Sequence, residues 1–147
     1  MPGLEDLYRE IILDHYKNPR NRGELAPPAV SAEGHNPLCG DEIQVYLLVE
    51  NGVVSDVRIA GQGCSISQSS ASMMSAAVKG KSVDDVRKLV SRFKQMMSID
   101  EGDSELDTSV NLGDLEALQG VVKFPVRIKC ATLAWNTLLE ALEGAHA

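Results

Sequence analysis

The first regular pattern in the chain is an amphipathic helix. Its apolar side chains fall on one stripe with charged side chains opposite, and they are Leu4, Leu7, Tyr8, Ile11 and Ile12. This spacing predicts a helix over Leu4–Lys17, which ends before Pro19 because proline lacks the backbone N–H that a helix needs. The segment Asn18–Val30 is rich in Pro, Gly, Asn and Arg and is predicted to be a loop.

Two runs of alternating residues predict a β-hairpin. They are Ile43, Val45, Leu47 and Val49, followed by Val53, Ser55, Val57 and Ile59. A two-residue Asn-Gly turn between them would pair apolar with charged side chains, as in Val45 with Arg58. Because strand register follows the apolar face, we predict a three-residue loop with Gly52 in the left-handed conformation. This loop pairs Ile43 with Ile59 and Val45 with Val57.

Helical patterns fill most of the remaining chain. Ser67–Val78 is predicted to be a helix that ends near Gly80, and Ser82 is predicted to cap the next one. That third helix has an apolar stripe made of Val83, Val86, Leu89, Val90, Phe93, Met96 and Met97. Leu112–Leu118 is predicted to be a short helix. Pro125 is expected to begin a last helix that reaches Glu143, with a core face of Val126, Leu133, Ala134, Leu138 and Leu142.

The segment Ser98–Asn111 differs from its surroundings because it is polar and carries five acidic residues. These are Asp100, Glu101, Asp103, Glu105 and Asp107. We interpret this segment as an exposed loop or insertion, not as a domain boundary. The length of 147 residues suits one domain, so residues 1–147 are predicted to fold as a single unit.

Composition and charge disfavour several classes of function. The net charge of −7 disfavours nucleic acid and anionic membranes, whose recognition needs Lys and Arg. No apolar stretch is long enough to span a bilayer, and the first residues lack the pattern of a secretory signal, so a cytoplasmic location is expected. Three cysteines cannot all pair with one another, which in a reducing compartment favours metal binding or thiol chemistry over disulfides. The alternative is three unrelated buried cysteines.

The predicted hairpin brings potential metal ligands together. It places Cys39 opposite Gly63, next to Cys64, and another register would pair the two cysteines directly. Asp41 lies two residues after Cys39 and points to the same side of an extended chain. Two thiols and a carboxylate form part of a tetrahedral zinc site, and Cys130 could supply the fourth ligand if the last helix begins there.

Simpler interpretations of these residues remain open. Asp41 could be a turn residue, and Cys64 could be a small buried residue before a helix. The serines at positions 65, 67, 69, 70 and 72 are expected to be caps and packing residues, because no nearby histidine is expected to complete a nucleophile–base pair. The histidines are not assigned as ligands: His15 is expected on a helix surface or core edge, His35 near the site in a loop, and His146 in a tail.

Three motifs resemble the signatures of the IscU/SufU family of iron–sulfur cluster assembly proteins. They are NPLCGDEI at Asn36–Ile43, GQGCSISQSSASMM at Gly61–Met74 and FPVRIKCATLAW at Phe124–Trp135. DHYKNPRN at Asp14–Asn21 and LGDLEALQGV at Leu112–Val121 match as well. The resemblance is closest to the SufU branch, because Lys129 stands where the IscU branch has a metal-binding His. A SufU-type insertion would fall within Val83–Asn111.

The resemblance implies a fold, a metal and a reaction. The fold would be α/β in the broad sense (α+β), SufE/IscU-like, with a small antiparallel sheet packed against helices. Zinc would be held by Cys39, Asp41, Cys64 and Cys130. Cys39 would accept persulfide sulfur from a SufS-like cysteine desulfurase, whose own His would take the vacated position on the zinc, and sulfur would pass to a downstream cluster assembly complex. Arg127 would lie near the site and pair with the Asp.

Two other functions compete with sulfur transfer. One is a scaffold on which a [2Fe–2S] cluster is assembled on the same ligands and transferred, since cysteine and carboxylate can also hold iron. Lys129 counts against the scaffold, because a charged ammonium group has no lone pair for a metal. The other is a metal-stabilised adaptor that only regulates the desulfurase. Covalent persulfidation of Cys39 would separate a sulfur carrier from the adaptor.

Overall fold

The computed structural model describes residues 4–37, 40–97 and 112–145. Its helices are α1 (Leu4–Lys17), α2 (Ser65–Val78), α3 (Val83–Met96), a 3₁₀ helix (Gly113–Lys123) and α4 (Pro125–Ala145). Its strands are β1 (Val30–Asn36), β2 (Asp41–Glu50) and β3 (Val53–Gln62), which form one antiparallel sheet in the order β1-β2-β3. No helix among the described residues is both long and apolar enough to cross a membrane.

The hairpin between β2 and β3 is present, but the predicted register is wrong by two residues. Val45 pairs with Ile59 and Leu47 with Val57. The turn has two residues, since Asn51 and Gly52 both have positive φ (54° and 75°), as a type I′ turn requires. A β-bulge in β3 allows this two-residue turn and still keeps apolar side chains on the core face of both strands.

The bulge lies where the pairing shifts between Leu48 and Val49. Leu48 pairs with Asp56 and Val49 with Val54, so Ser55 is the extra residue of β3. Its hydroxyl donates to the Leu48 carbonyl over 3.2 Å. The bulge moves the core side chain near the turn to Val54, which is fully buried, while Val53 is exposed.

β1 begins at Val30, the last residue of the segment that was predicted to be a loop, and the sequence pattern did not reveal the strand. The strand reads VSAEGHN and lacks alternating large apolar residues. Its backbone pairs with β2 along the whole length, from Val30 with Leu47 to Asn36 with Asp41. Gly34 lets α4 lie close against β1, because a Cβ there would collide with Thr137 Oγ1 and lie 3.0 Å from Leu133 Cδ1.

The helices agree well with the predictions. α1 has the predicted bounds, and α3 begins after Ser82, whose hydroxyl accepts the Asp85 backbone N–H over 3.1 Å. α2 starts two residues earlier than predicted, and the 3₁₀ helix is longer than the short helix expected at Leu112–Leu118. The prediction that Val126 belongs to the core is wrong, because 58% of it is exposed at the start of α4.

The helices pack on one face of the sheet and enclose the core. α4 lies against β1 and β2, α2 lies against β3, and α1 packs on α2. Phe93 of α3 and Trp135 of α4 stack with ring centroids 4.3 Å apart, and both are fully buried. The predicted α+β class, with a small antiparallel sheet packed against helices, is therefore confirmed.

The segment after α1 closes the outer edge of β3. Asn21 O accepts the Ile59 N–H and Ile59 O accepts the Gly23 N–H, each over 2.9 Å. Ser72 of α2 holds the same segment, because its hydroxyl accepts the Arg20 backbone N–H over 2.8 Å. The acidic segment Ser98–Asn111 and His146 lie outside the described residues, so those predictions stay predictions.

Candidate metal centre

Three of the predicted metal ligands lie close together, near the starts of one strand and two helices. Asp41 is the first residue of β2, Cys64 is the N-cap of α2, and Cys130 lies in the second turn of α4. One carboxylate oxygen and the two sulfurs all lie within 4.8 Å of one another. Cys39 lies outside the described residues, so its predicted proximity to Cys64 stays a prediction.

Asp41 is held firmly in this cluster. The side chain is 1% exposed, and its Oδ1 accepts the Cys64 backbone N–H over 2.8 Å. Its Oδ2 lies 3.8 Å from Cys64 Sγ. Since the Cys64 side chain caps no backbone group of α2, the Asp41 carboxylate supplies an acceptor at that helix start. Asp41 is therefore a buried strand residue and not a turn residue.

Gly63 makes the close approach of the two chain segments possible. A Cβ at this position would collide with Asp41 Oδ1 and lie 3.0 Å from Asp41 Cα and 2.8 Å from Ser67 Oγ. Any side chain would therefore push β3 away from the start of β2. Glycine at position 63 thus permits the close backbone approach.

Cys130 approaches the cluster from inside the protein. It is fully buried, and its sulfur accepts a hydrogen bond from Asn36 Nδ2 over 3.6 Å. A second contact, 4.0 Å long, joins Cys130 Sγ to the Val126 carbonyl. Sequence reasoning gave Asn36 no role, although the residue opens the motif that contains Cys39 and Asp41.

Arg127 lies at the exposed rim of the cluster. The negative charge of the Cys64 thiolate, followed by that of the Cys130 thiolate, raises the pKa of Arg127 above its ordinary value. The guanidinium is thus close enough to interact with both sulfurs. Its predicted pairing with Asp41 stays a prediction.

The donor atoms suit a metal ion. Two thiols and a carboxylate are ligands that zinc takes, and a tetrahedron leaves room for one more. The carboxylate is buried beside two groups that can become anionic, an arrangement that is costly without a cation to compensate it. The described side chains therefore fit a thiophilic divalent metal.

His15, His35 and Lys129 do not belong to the cluster of Asp41, Cys64 and Cys130. His35 is an exposed residue of β1, and Lys129 is exposed on α4. His15 is 4% exposed, and its Nδ1 lies 2.8 Å from Ser72 Oγ. Ser72 therefore has a histidine beside it, but Ser72 is fully buried, so the pair is structural.

Ser67, Ser69 and Ser70 of α2 also have structural partners, as predicted for them. Ser67 Oγ donates to the Cys64 carbonyl over 3.2 Å. Ser70 Oγ donates to the Ala131 carbonyl over 2.6 Å and accepts the Trp135 indole N–H over 3.0 Å. The two bonds of Ser70 join α2 to α4, the helices that carry Cys64 and Cys130.

Fold and site together define a small α+β domain with a thiol-rich centre at the end of a β-hairpin. Residues 7–142 match the family model of the NifU-like N terminal domain. The chain belongs to this family, which is the family of IscU and SufU.

Individual relatives match over nearly the whole chain. The zinc-dependent sulfurtransferase SufU of Bacillus subtilis (strain 168) is 49% identical over 135 residues, which cover 92% of this chain and 88% of the relative. The iron–sulfur cluster assembly scaffold protein IscU of Streptococcus pyogenes serotype M1 is 40% identical, covering 95% of this chain and 85% of the relative.

Solved structures show the same fold. One is described as an iron–sulfur cluster assembly scaffold protein for the SUF system of Fervidobacterium islandicum AW-1. It is 33% identical, with a TM-score of 0.82 over 95% of this chain and 99% of that chain. The NifU-like protein (N-terminal) of Brucella abortus has the same TM-score at 25% identity, over 97% of this chain and 96% of that chain.

Proposed function

We propose that this chain is a zinc-dependent sulfur acceptor in iron–sulfur cluster assembly. It would take persulfide sulfur from a SufS-like cysteine desulfurase and pass it to a downstream cluster assembly complex. The observation that carries the proposal is the cluster of Asp41, Cys64 and Cys130, whose donor atoms lie within 4.8 Å of one another. The 49% identity to a relative named as a zinc-dependent sulfurtransferase supports the same conclusion.

The proposed metal ligands are these three residues together with Cys39. Cys39 follows Asn36 by three residues and precedes Asp41 by two, so it belongs to the connection between β1 and β2. Zinc, when bound, would keep the sulfurs as thiolates at neutral pH without redox chemistry of its own. Cys64 and Cys130 are tied into helical elements, which suits them to remain as ligands.

Cys39 is the proposed sulfur acceptor. Its thiolate would attack the outer sulfur of the desulfurase persulfide, Cys–S–SH. A new S–S bond forms at Cys39, the S–S bond of the desulfurase breaks, and the desulfurase cysteine leaves as a thiolate. Sulfur moves without net oxidation or reduction, so the step needs no further oxidant.

Arg127 is proposed to assist sulfur transfer from the exposed rim of the cluster. Its exposed guanidinium already interacts with the Cys64 and Cys130 sulfurs. A fixed positive charge there would stabilise thiolates and attract an anionic persulfide.

The test is mass spectrometry of the protein after incubation with a cysteine desulfurase and cysteine. We expect a gain of one sulfur on the peptide that contains Cys39, and no gain in Cys39→Ser. Asp41→Ala should weaken zinc binding but leave Cys39 able to take sulfur. Ser91→Ala, at an exposed position of α3, is the matched control and should behave like the wild type. Sulfur on Cys64 or Cys130, with Cys39 unmodified, would overturn the assignment.

A scaffold that holds a [2Fe–2S] cluster is the second candidate. The Streptococcus pyogenes relative named as an IscU scaffold favours it. Lys129 precedes the buried Cys130 on α4, and a His there would restore a lone-pair ligand. Lys129→His should therefore hold a reconstituted cluster better than the wild type under anaerobic conditions. Equal cluster retention would show that Lys129 does not separate the two functions.

The domain organisation and location belong to the same proposal. Residues 1–147 would form one cytoplasmic domain with a SufU-type insertion within residues 83–111. The first part of that insertion is α3, which contributes the buried side chains of Leu89, Val90 and Phe93 to the core.

A further inference from the structure

Asn36 connects the candidate metal centre to two strands and a helix. It is the last residue of β1, it pairs with Asp41 of β2, and its side chain reaches Cys130 of α4. The residue is 6% exposed, so its amide is largely shielded from water. A polar side chain buried at this position needs partners within the protein, and one of them is the sulfur of a proposed ligand.

The chemistry of the contact between Asn36 and Cys130 determines which group donates the hydrogen bond. A thiolate sulfur can only accept hydrogen bonds, so the amide must present its NH₂ group to Cys130, as the 3.6 Å distance from Nδ2 indicates. A second contact of Cys130 Sγ, 4.0 Å from the Val126 carbonyl, suits only a thiol, since a thiolate has no proton to donate. The Asn36 bond suits a metal-bound thiolate, because a charged acceptor makes a stronger hydrogen bond.

The two described thiols therefore have different surroundings. Cys130 is buried and receives a neutral amide donor, whereas Cys64 is half-buried and lies beside the Asp41 carboxylate. A hydrogen bond donated to a metal-bound thiolate withdraws electron density from the sulfur. Such a bond orients the ligand and makes its sulfur a weaker nucleophile.

We propose that Asn36 is a positioning residue that holds Cys130 as the fixed thiolate of the centre, through an N–H···S hydrogen bond. This inference rests on the proposed metal site. Asn36 would stabilise the bound thiolate and keep the Cys130 sulfur out of the sulfur-transfer chemistry.

The experiment compares Asn36→Asp and Asn36→Leu, which keep the approximate size of the side chain but remove the amide donor. The first adds a negative charge and the second does not, so an effect common to both belongs to the lost donor. His35→Gln, at the exposed neighbouring position of β1, is the matched control. Asn36→Ser restores a short donor and guards against a folding defect in the larger changes.

Two readouts are needed on the full chain. Zinc affinity, measured by competition with a chromophoric chelator, should fall roughly 10- to 100-fold in Asn36→Asp and Asn36→Leu. In cobalt(II)-substituted protein, the sulfur-to-metal charge-transfer band should move to longer wavelength, because a thiolate without its hydrogen bond gives up charge more easily. Asn36→Ser and His35→Gln should keep a band close to that of the wild type.

The outcomes separate this inference from the proposed function. If the band and the zinc affinity of both donor-free variants match the wild type, the role of Asn36 is overturned. The same follows if Asn36→Asp and Asn36→Leu fail to fold and Asn36→Ser folds with a shifted band. A wild-type centre that binds zinc and responds to Asn36 substitution, but takes no sulfur from a desulfurase, would instead refute sulfur transfer and support the role of Asn36.

Discussion

His15 is a buried imidazole that joins three parts of the fold. Its Nδ1 lies 2.8 Å from Ser72 Oγ on α2, and its Nε2 lies 3.5 Å from Asp114 Oδ2 on the 3₁₀ helix. The Asp114 contact lacks the geometry of a hydrogen bond. Burial lowers the pKa of His15 and the Arg20 charge adds to that effect, while Asp114 and Asp14 oppose it. The neutral imidazole is therefore the form that the folded protein prefers.

This preference predicts a pH-dependent stability. Because the pKa of His15 is lower in the folded state than its usual 6.5, the unfolded chain binds a proton that the folded protein rejects. The contribution of His15 is fully present above about pH 6.5 and is lost as the pH falls toward the folded-state pKa. One proton changes the unfolding free energy by at most about 1.4 kcal/mol per pH unit.

Urea unfolding between about pH 5 and 8 measures this effect. His15→Gln should lose stability overall but show a shallower decline below about pH 6.5 than the wild type. His35→Gln, at an exposed histidine, should keep the wild-type slope. Parallel pH profiles for wild type and His15→Gln would show that His15 is not the responsible group.

At the scale of elements, the hairpin and its bulge set the geometry of the centre. Extending the observed register of β2 and β3 brings the start of β2 against Gly63, where Asp41 and the glycine backbone are in contact. Gly63→Ala should therefore separate Asp41 from Cys64. The collision should cost about 1–3 kcal/mol of unfolding free energy and should weaken zinc binding as well.

Gly120→Ala is the matched control for that substitution. Gly120 lies in the 3₁₀ helix with no atom near the position of a Cβ. The unfolding free energy of Gly120→Ala should stay the same or rise by up to about 1 kcal/mol, since alanine restricts the unfolded chain. Thermal unfolding and zinc titration of both variants check the prediction, and equal zinc affinity in all three proteins would contradict it.

The two parts of the proposed insertion should differ in their contribution to stability. Leu89 of α3 is 3% exposed, so Leu89→Ala should cost about 2–5 kcal/mol. Removing residues 100–105 from the acidic segment should change the free energy of unfolding by no more than about 0.5 kcal/mol, because loop-closure entropy changes slowly with length. Denaturant unfolding of both variants measures the contrast. A deletion as costly as Leu89→Ala would show that the acidic segment is packed.

At the scale of the whole molecule, the candidate metal centre draws its side chains from β2, α2 and α4. A metal that binds only the folded protein stabilises it, by about 2.7 kcal/mol when free zinc is 100 times the dissociation constant. Removing zinc with a chelator should therefore lower the melting temperature by roughly 5–10 °C, given about 2–4 °C per kcal/mol for a chain of this size.

Trp135 offers a direct measurement of this effect. It is the single tryptophan of the chain, it is fully buried on α4, and its indole donates to Ser70 of α2. Its fluorescence should follow unfolding with and without zinc. Cys130→Ser should remove the dependence on zinc, and a melting temperature that is insensitive to zinc in the wild type would contradict a site shared by three elements.

The sequence by itself determined the features that depend on neighbouring residues. The bounds of α1, the Ser82 cap of α3 and the existence of the hairpin all follow from local periodicity and end signals. The hairpin also predicted that potential ligands would gather at its open end, because strand pairing turns a sequence separation into a spatial contact, although the predicted register put Cys39 opposite Gly63 and was wrong by two residues. These inferences hold because backbone hydrogen bonds and apolar stripes act over a few residues.

Only the tertiary structure decided the features that depend on distant contacts. The bulge at Ser55 shifts the strand register, and the alternating sequence pattern gives no sign of it. β1 forms a strand despite its few apolar residues, because its backbone pairs with β2 and α4 packs against it. Burial of His15, exposure of Val126 and the bond between Asn36 and Cys130 likewise depend on how α1 and α4 pack. Cys130 joins the centre for the same reason, since the docking of a helix is set by the side chains of the whole core.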